Sequence, residues 1–251
     1  MSLHFDEQLP FAYIADNKNN RIETLSFIDN REGIEELELD DEHTFQLVAR
    51  PTEDNDRATL FVAGESGSGK SYFIREYAKR YNSMFPKNEI FLISYLDKDK
   101  TLDAYKKITR LNCFNNEFMR ECLNMKLEDN FQDSLVIFDD IDCIVEKKAK
   151  ERIYALLFKM LKIGRHTATS VAYLGHELYH SPELKTILNE SMTITIFPRF
   201  LNFKKLRYLL EEYLGLSKEQ IAKIRTIKDR SVTYIKGADK IILSDHSCFM
   251  L

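Results

Sequence analysis

The sequence predicts an α/β protein, with a mostly parallel central sheet flanked by helices and a short acidic N-terminal arm. Three observations carry that expectation. Short apolar runs of strand length alternate with longer stretches of helical periodicity, which is the pattern of a parallel sheet with crossover helices. The run Ala58 to Ala63 passes directly into a glycine-rich loop and then into an amphipathic segment. A second apolar run, Ser134 to Phe138, ends in the pair Asp139-Asp140.

Taken in order, residues 1–43 are polar and acidic, with seven carboxylates between Glu32 and Glu42. Apolar positions are sparse there, so the stretch reads as an arm with little core of its own. One domain is expected from 44 to 251. Thr44 to Arg50 alternates apolar and polar residues and reads as a strand; Pro51 to Arg57 reads as a turn. Ala58 to Ala63 is a fully buried strand by its unbroken apolar character. Tyr72, Phe73, Ile74, Tyr77, Ala78 and Tyr81 recur at helical spacing, and Pro86 stops that helix. Glu89 to Tyr95 is a strand, and residues 97–130 are mixed, with helical character. Ser134 to Phe138 is a strand and Glu146 to Ile163 a helix. Thr169 to Leu174 and Met192 to Phe197 are further strands. Helices near Asn202–Tyr213 and Ser217–Ile227 are separated by Gly215, and the tail from Ser231 reads as two or three short strands.

Composition narrows the class. Of the 251 residues, 44% are apolar and 30% charged, as in ordinary globular proteins, and the net charge is −4. Any contact with nucleic acid must therefore come from a local surface. Cys113, Cys122, Cys143 and Cys248 show no metal-ligand spacing and read as reduced thiols of an intracellular protein. No secretory leader is expected in Met1 to Pro10. No apolar run approaches the roughly 20 residues that span a membrane, so no membrane contact is expected.

Gly64-Glu65-Ser66-Gly67-Ser68-Gly69-Lys70-Ser71 fits the phosphate-binding pattern G-x-x-x-x-G-K-[ST]. Glycines let the backbone turn its N–H groups inward around an anion, and the following helix adds its positive end. The loop therefore implies ATP, with Lys70 on the β- and γ-phosphates and the Ser71 hydroxyl on Mg²⁺. At the end of the acidic strand, Asp139 is the candidate metal ligand and Asp140 the candidate for orienting or deprotonating the attacking water. Asp142 stands in reserve. His176, just past the strand Ser170 to Leu174, is placed to sense the γ-phosphate. Arg165 and Arg199 are candidates for an arginine finger, supplied in cis or by a neighbouring subunit.

The order of features resembles a known family. Gly164-Arg165-His166-Thr167-Ala168-Thr169-Ser170, then Gly175-His176, Ile187-Leu188-Asn189-Glu190 and Ile194-Thr195-Ile196-Phe197-Pro198 resemble the genome-packaging ATPases of large DNA viruses. These form the poxvirus-type branch of the FtsK–HerA superfamily of P-loop NTPases, with a RecA/ASCE-like fold. Leu214 to Ser217 and Arg230 to Val232 resemble the same branch, and the likeness spans about residues 58–251. It implies an ATP-driven motor that moves double-stranded DNA into a capsid. Such a motor works as a homo-oligomeric ring, pentamer or hexamer, with capsid or portal proteins as partners. It implies a location in the host cytoplasm or viral factory, or in association with the virion. The family commonly has Glu where Asp140 stands and Gln where His176 stands. Candidate DNA-gripping clusters are Lys98, Lys100, Lys106, Lys107 and Arg110, and Lys147, Lys148, Lys150 and Arg152. The competing readings are another DNA translocase or helicase-like ATPase, a nucleotide or small-molecule kinase, and a nucleotide-binding regulator without useful turnover. The kinase reading lacks an evident arginine-rich lid.

Overall fold

The computed structural model describes residues 2–5, 10–28, 34–49, 57–113, 116–178, 181–237 and 240–251. Most of the turn expected at Pro51 to Arg57 lies outside them. The chain forms two compact units, one of Met1–Asp54 with Met192–Leu251 and the other of Asn55–Ser191.

The N-terminal part of the first unit holds β1 (Ser2–Phe5), β2 (Pro10–Asp16), β3 (Arg21–Ile28), β4 (Glu36–Glu38) and β5 (His43–Leu47). Strands β1, β3, β2 and β5 make an antiparallel sheet in that order. Leu3, Phe11, Ala12, Ile14, Ala15 and Leu25 are buried. The stretch therefore has a core that the expected arm lacked. β5 matches the strand expected from Thr44, whereas β2 escaped detection because it carries register shifts between Pro10 and Ala12 and between Ile14 and Ala15. Each shift swaps the inward face, so buried residues come in adjacent pairs and the period-2 signal disappears.

The second unit carries β6 (Thr59–Ala63), α1 (Lys70–Met84), β7 (Ile90–Ser94), β8 (Ile108–Asn112), α2 (Asn116–Glu121) and α3 (Leu127–Asn130). It continues with β9 (Leu135–Asp139), α4 (Lys147–Ile163), β10 (Ser170–Gly175) and α5 (Pro182–Glu190). Its strands run in the order β6-β10-β9-β7-β8, and every neighbouring pair is parallel. This is the expected α/β architecture. β6, β7, β9 and β10 are buried at every residue. Helix α1 buries Ile74, Tyr77, Ala78 and Tyr81, and α4 buries Ile153, Leu156, Leu157, Met160 and Leu161, both at helical spacing. Each such Ile or Leu contributes roughly 1.5–3 kcal/mol of burial.

Two elements depart from expectation. Within the mixed stretch 97–130, β8 is a strand at the sheet edge, with no fully buried residue. A half-solvated edge strand needs few apolar residues, so its sequence signal is faint. Helix α5 starts at Pro182, between the strands expected at Thr169 to Leu174 and Met192 to Phe197, where the sequence predicts no element. Proline at the first helical position has no N–H to lose, and Ser181 Oγ accepts the Leu184 N–H at 3.1 Å to cap the turn.

The first unit resumes with β11 (Thr193–Ile196), α6 (Phe203–Arg207), a π-helical turn over Tyr208–Tyr213, and α7 (Lys218–Thr226). β12 (Val232–Ile235), β13 (Ile241–Ser244) and β14 (Ser247–Met250) follow, and the antiparallel order is β4-β14-β13-β12-β11. Gly215 takes φ 66°, the left-handed backbone of a helix stop.

In the turn between β13 and β14, the His246 backbone N–H donates to Asp229 Oδ2 at 2.8 Å, and His246 Nδ1 lies 2.7 Å from Asp229 Oδ1. The Asp229 bond raises the imidazole pKa above its usual 6.5. Burial alone would raise the Asp229 carboxyl, but its bonds from His246 and Ser244 bring it below 3.8. The histidine contribution to stability is complete below about pH 6.5 and is lost as pH rises through the folded value. The aspartate contribution is present above about pH 4 and is lost as pH falls through its folded value. His246→Ala is thus expected to cost up to about 1 kcal/mol more at pH 5.5 than at pH 8.5, measured by urea unfolding. An equal cost at both pH values would contradict the charged pair.

Candidate functional site

The parallel sheet brings the predicted residues to one edge. β10 lies between β6 and β9, with Gly175 opposite Ala63 and Leu174 opposite Asp139. The residues that follow these positions are Gly64, His176 and Asp140, so three loops leave the carboxyl edge side by side. Ligands of open parallel sheets sit at that edge.

The glycine-rich loop is pinned at its start, where the Gly64 N–H donates to the Gly175 carbonyl at 3.1 Å. Gly67 and Gly69 take φ of 78° and 115°, a backbone that side chains with a Cβ rarely adopt. Helix α1 begins at once with Lys70, so its first N–H groups face the loop. Lys70 Nζ donates to the Gly64 carbonyl at 2.6 Å and to the Glu65 carbonyl at 3.3 Å, and lies 3.3 Å from His176 Nδ1. Burial lowers its pKa, against the nearby charges of Asp139, Asp140 and Asp142. Ser68 is buried, Glu65 to Gly67 form the exposed tip, and Ser71 sits half-buried in the first turn of α1.

Asp139 closes β9 with 4% of its surface exposed. Burial, then the neighbouring Asp140 and Asp99 carboxylates, push its pKa up to about 7, while Lys70 and His176 oppose the rise. Asp140 adopts φ 54°, a left-handed conformation that aspartate tolerates better than most residues. His176 Nε2 lies 2.7 Å from Asp140 Oδ1. That bond holds the Asp140 carboxyl below its usual value and raises the His176 imidazole. One tautomer satisfies both neighbours, with Nε2–H donating to Asp140 while Nδ1 accepts from Lys70. The chain Lys70–His176–Asp140 thus couples the phosphate loop to the acidic strand.

The short 3₁₀ turn Ile141–Cys143 adds two groups. Ligand atoms of Asp140, Asp142, Cys143 and His176 all lie within 4.8 Å of one another. Cys143 was not among the sequence candidates, because only the tightness of this turn brings its thiol to the site.

Gly175 supports the edge from below. A Cβ there would meet the Tyr173 ring at 2.9 Å and the Phe61 ring at 3.1 Å, and those rings stack with centroids 5.8 Å apart. Gly175→Ala is expected to destabilise the protein by about 1–3 kcal/mol through overpacking, read from urea unfolding. Wild-type stability would show that the rings yield freely.

Arg165 is not part of this assembly within one chain. Arg165 is exposed in the turn Gly164–Thr167 that precedes β10, at the sheet edge opposite the phosphate loop. It cannot serve its own loop in cis. Arg199 is exposed in the turn Pro198–Phe200 of the other unit. The candidate basic clusters are partly engaged internally. Arg110 bonds Asp103 Oδ1 at 2.5 Å and the Leu96 carbonyl at 2.8 Å. Lys150 reaches the Asp142 carbonyl at 2.8 Å and Arg152 the Met119 carbonyl at 2.9 Å.

With this geometry in place, comparison with known proteins is informative. No protein-family model matches the chain. It is 33% identical over 183 residues, 72% of each chain, to the Sputnik virophage protein described as "uncharacterized protein V3". The chain belongs to the V3 family. Among solved structures, this V3-family chain is similar to B204, the DNA-packaging ATPase of Sulfolobus turreted icosahedral virus. The TM-score is 0.54 at 16% identity, over 76% of this chain and 98% of that one. The B204 genome-packaging NTPase of Sulfolobus turreted icosahedral virus 2, solved with AMPPCP, gives 0.51 at 13% identity over the same shares. The cytoplasmic domain of EssC gives 0.51 at 10% identity, over 85% of this chain and 40% of that one. At these identities the likeness establishes a shared fold. Among the described residues, no helix is long and apolar enough to cross a membrane.

Proposed function

We propose that this V3-family protein is an FtsK–HerA-type ATPase of the poxvirus-type branch that drives double-stranded DNA into a viral capsid. The observation that carries the reading is the convergence of Lys70, Asp139, Asp140 and His176 at one sheet edge beside a Gly64–Ser71 loop. The shared fold with B204, described as a DNA-packaging ATPase, supports the motor rather than the kinase.

In this reading the loop N–H groups and Lys70 hold the β- and γ-phosphates of ATP. Ser71 and Asp139 hold Mg²⁺, and the site suits that ion. Asp139 is a buried carboxylate crowded by Asp140 and Asp99, and a hard divalent cation is the natural counter-charge for such oxygen donors. When bound, the ion neutralises charge on the phosphate oxygens. Asp140, held ionised by His176, orients the attacking water and accepts its proton. His176 reports phosphate occupancy. As Lys70 turns to phosphate it leaves Nδ1, while the His176–Asp140 pair stays in place beside the water. Arg165 or Arg199 then acts on the nucleotide of a neighbouring subunit in a ring of five or six copies, with portal or capsid proteins as partners in the infected cell.

The reading is tested by displacement of a triplex-forming oligonucleotide from a long duplex. ATP-dependent displacement, absent in Asp139→Ala, is the expected result. ATP turnover without displacement would contradict translocation.

A further inference from the structure

Tyr72 shares the helical recurrence of the buried residues of α1, yet it is 60% exposed, more than any other Phe or Tyr among the described residues. Its ring is nonetheless held. The Arg75 guanidinium lies over it, 4.8 Å from the ring centroid. Arg75 Nε in turn donates to Glu76 Oε1 at 2.8 Å, and Lys79 Nζ donates to the same oxygen at 3.0 Å. A half-buried arginine thus braces one face of the ring, and the opposite face is open. The place of the ring in α1 gives that face a use. The first N–H of the helix to bond back onto the chain is that of Phe73, which donates to the Gly69 carbonyl at 2.9 Å. The N–H groups of Lys70, Ser71 and Tyr72 therefore point out of the helix end, toward the phosphate loop. Side chains on a helix lean toward its N-terminus, so the Tyr72 ring lies over that same end.

We propose that Tyr72 is the platform on which the base of the bound nucleotide stacks. The inference rests on the ATPase reading and concerns the part of the substrate that the phosphate loop leaves unread. With the β- and γ-phosphates in the loop and on Lys70, the α-phosphate comes next along the helix end, at the Ser71 and Tyr72 N–H groups. The ribose and base then leave the phosphate chain beside the Tyr72 side chain, and the base lies on the ring face away from Arg75. Arg75 and Glu76 hold the ring before the base arrives, so little side-chain freedom is lost on binding. Stacking reads the extent of a ring and not its hydrogen-bonding edge. The contact therefore favours purine over pyrimidine nucleotides, because the purine is the larger ring system, and does not by itself separate ATP from GTP. It needs the ring of Tyr72 and not the hydroxyl.

The test is calorimetric titration of the intact protein, in Mg²⁺, with AMPPCP, GMPPCP, CMPPCP and inorganic tripolyphosphate, which has no base. Wild type is expected to bind AMPPCP and GMPPCP more tightly than CMPPCP. Tyr72→Ala is expected to bind AMPPCP about 5- to 150-fold more weakly, the usual loss for a stacked base, and to bind tripolyphosphate as wild type does. Tyr72→Phe should keep the wild-type affinities. A further variant reads the contact directly, even if Tyr72→Ala does not fold. The chain has no tryptophan, so Tyr72→Trp places a single reporter at the site. Its emission should be quenched by AMPPCP and not by tripolyphosphate. Wild-type AMPPCP affinity in Tyr72→Ala, tryptophan emission unmoved by saturating AMPPCP, or CMPPCP binding as tight as that of AMPPCP would overturn the stacking and leave the ATPase reading in place. An equal loss for AMPPCP and tripolyphosphate in Tyr72→Ala would also overturn it, because the substitution would then act on the loop. A wild-type protein that binds neither AMPPCP nor tripolyphosphate would overturn both readings.

Discussion

Lys70→Ala is expected to lower ATP turnover by about 10²–10³-fold, the usual effect of removing one preorganised donor from a developing anion. The structure makes the loss larger than that of a simple surface lysine. Lys70 is buried, with its ammonium bonded to the Gly64 and Glu65 carbonyls, 3.3 Å from His176 and near the charges of Asp139, Asp140 and Asp142. Without it the carboxylates face one another with less counter-charge, and nothing links the loop to the His176–Asp140 pair. The measurement is steady-state phosphate release at saturating ATP, with circular dichroism to verify folding. A folded variant retaining more than a tenth of wild-type turnover would contradict the role of Lys70.

The second large effect concerns the pair behind the attacking water. Asp140→Asn is expected to reduce kcat by about 10²–10⁴-fold, the range for loss of a general base. His176→Ala removes the partner that holds Asp140 at 2.7 Å and is expected to cost a substantial part of that factor. His176→Gln can still donate to Asp140 and is expected to recover much of the loss. The double variant His176→Ala, Asp140→Asn should be little worse than Asp140→Asn alone, because the two residues act as a unit. Additive losses would show that His176 works independently of Asp140.

The site was legible where its chemistry is contiguous. Gly64 to Ser71 declares itself because a phosphate cradle needs fixed residue types at fixed spacing, and Asp139-Asp140 because an acidic pair ends an apolar strand. His176 followed from its place after β10. The sequence did not show that His176 bridges Lys70 and Asp140, since that depends on β10 lying between β6 and β9. Nor did it show that the Ile141–Cys143 turn draws the Cys143 thiol in beside them. The fold was legible for buried strands and amphipathic helices, whose periodicity is strong. It failed for β2, where bulges scramble the alternation, for the thinly apolar edge strand β8, and for α5, whose opening proline marks a start.

The central claim is that ATP hydrolysis at the Lys70–Asp139–Asp140–His176 edge is coupled to duplex DNA. Steady-state phosphate release from Mg-ATP by the intact protein, with and without long double-stranded DNA, tests it most directly. Stimulation by DNA that disappears in Asp139→Ala is the predicted result. Turnover that ignores DNA, or turnover that survives Asp139→Ala, would contradict it.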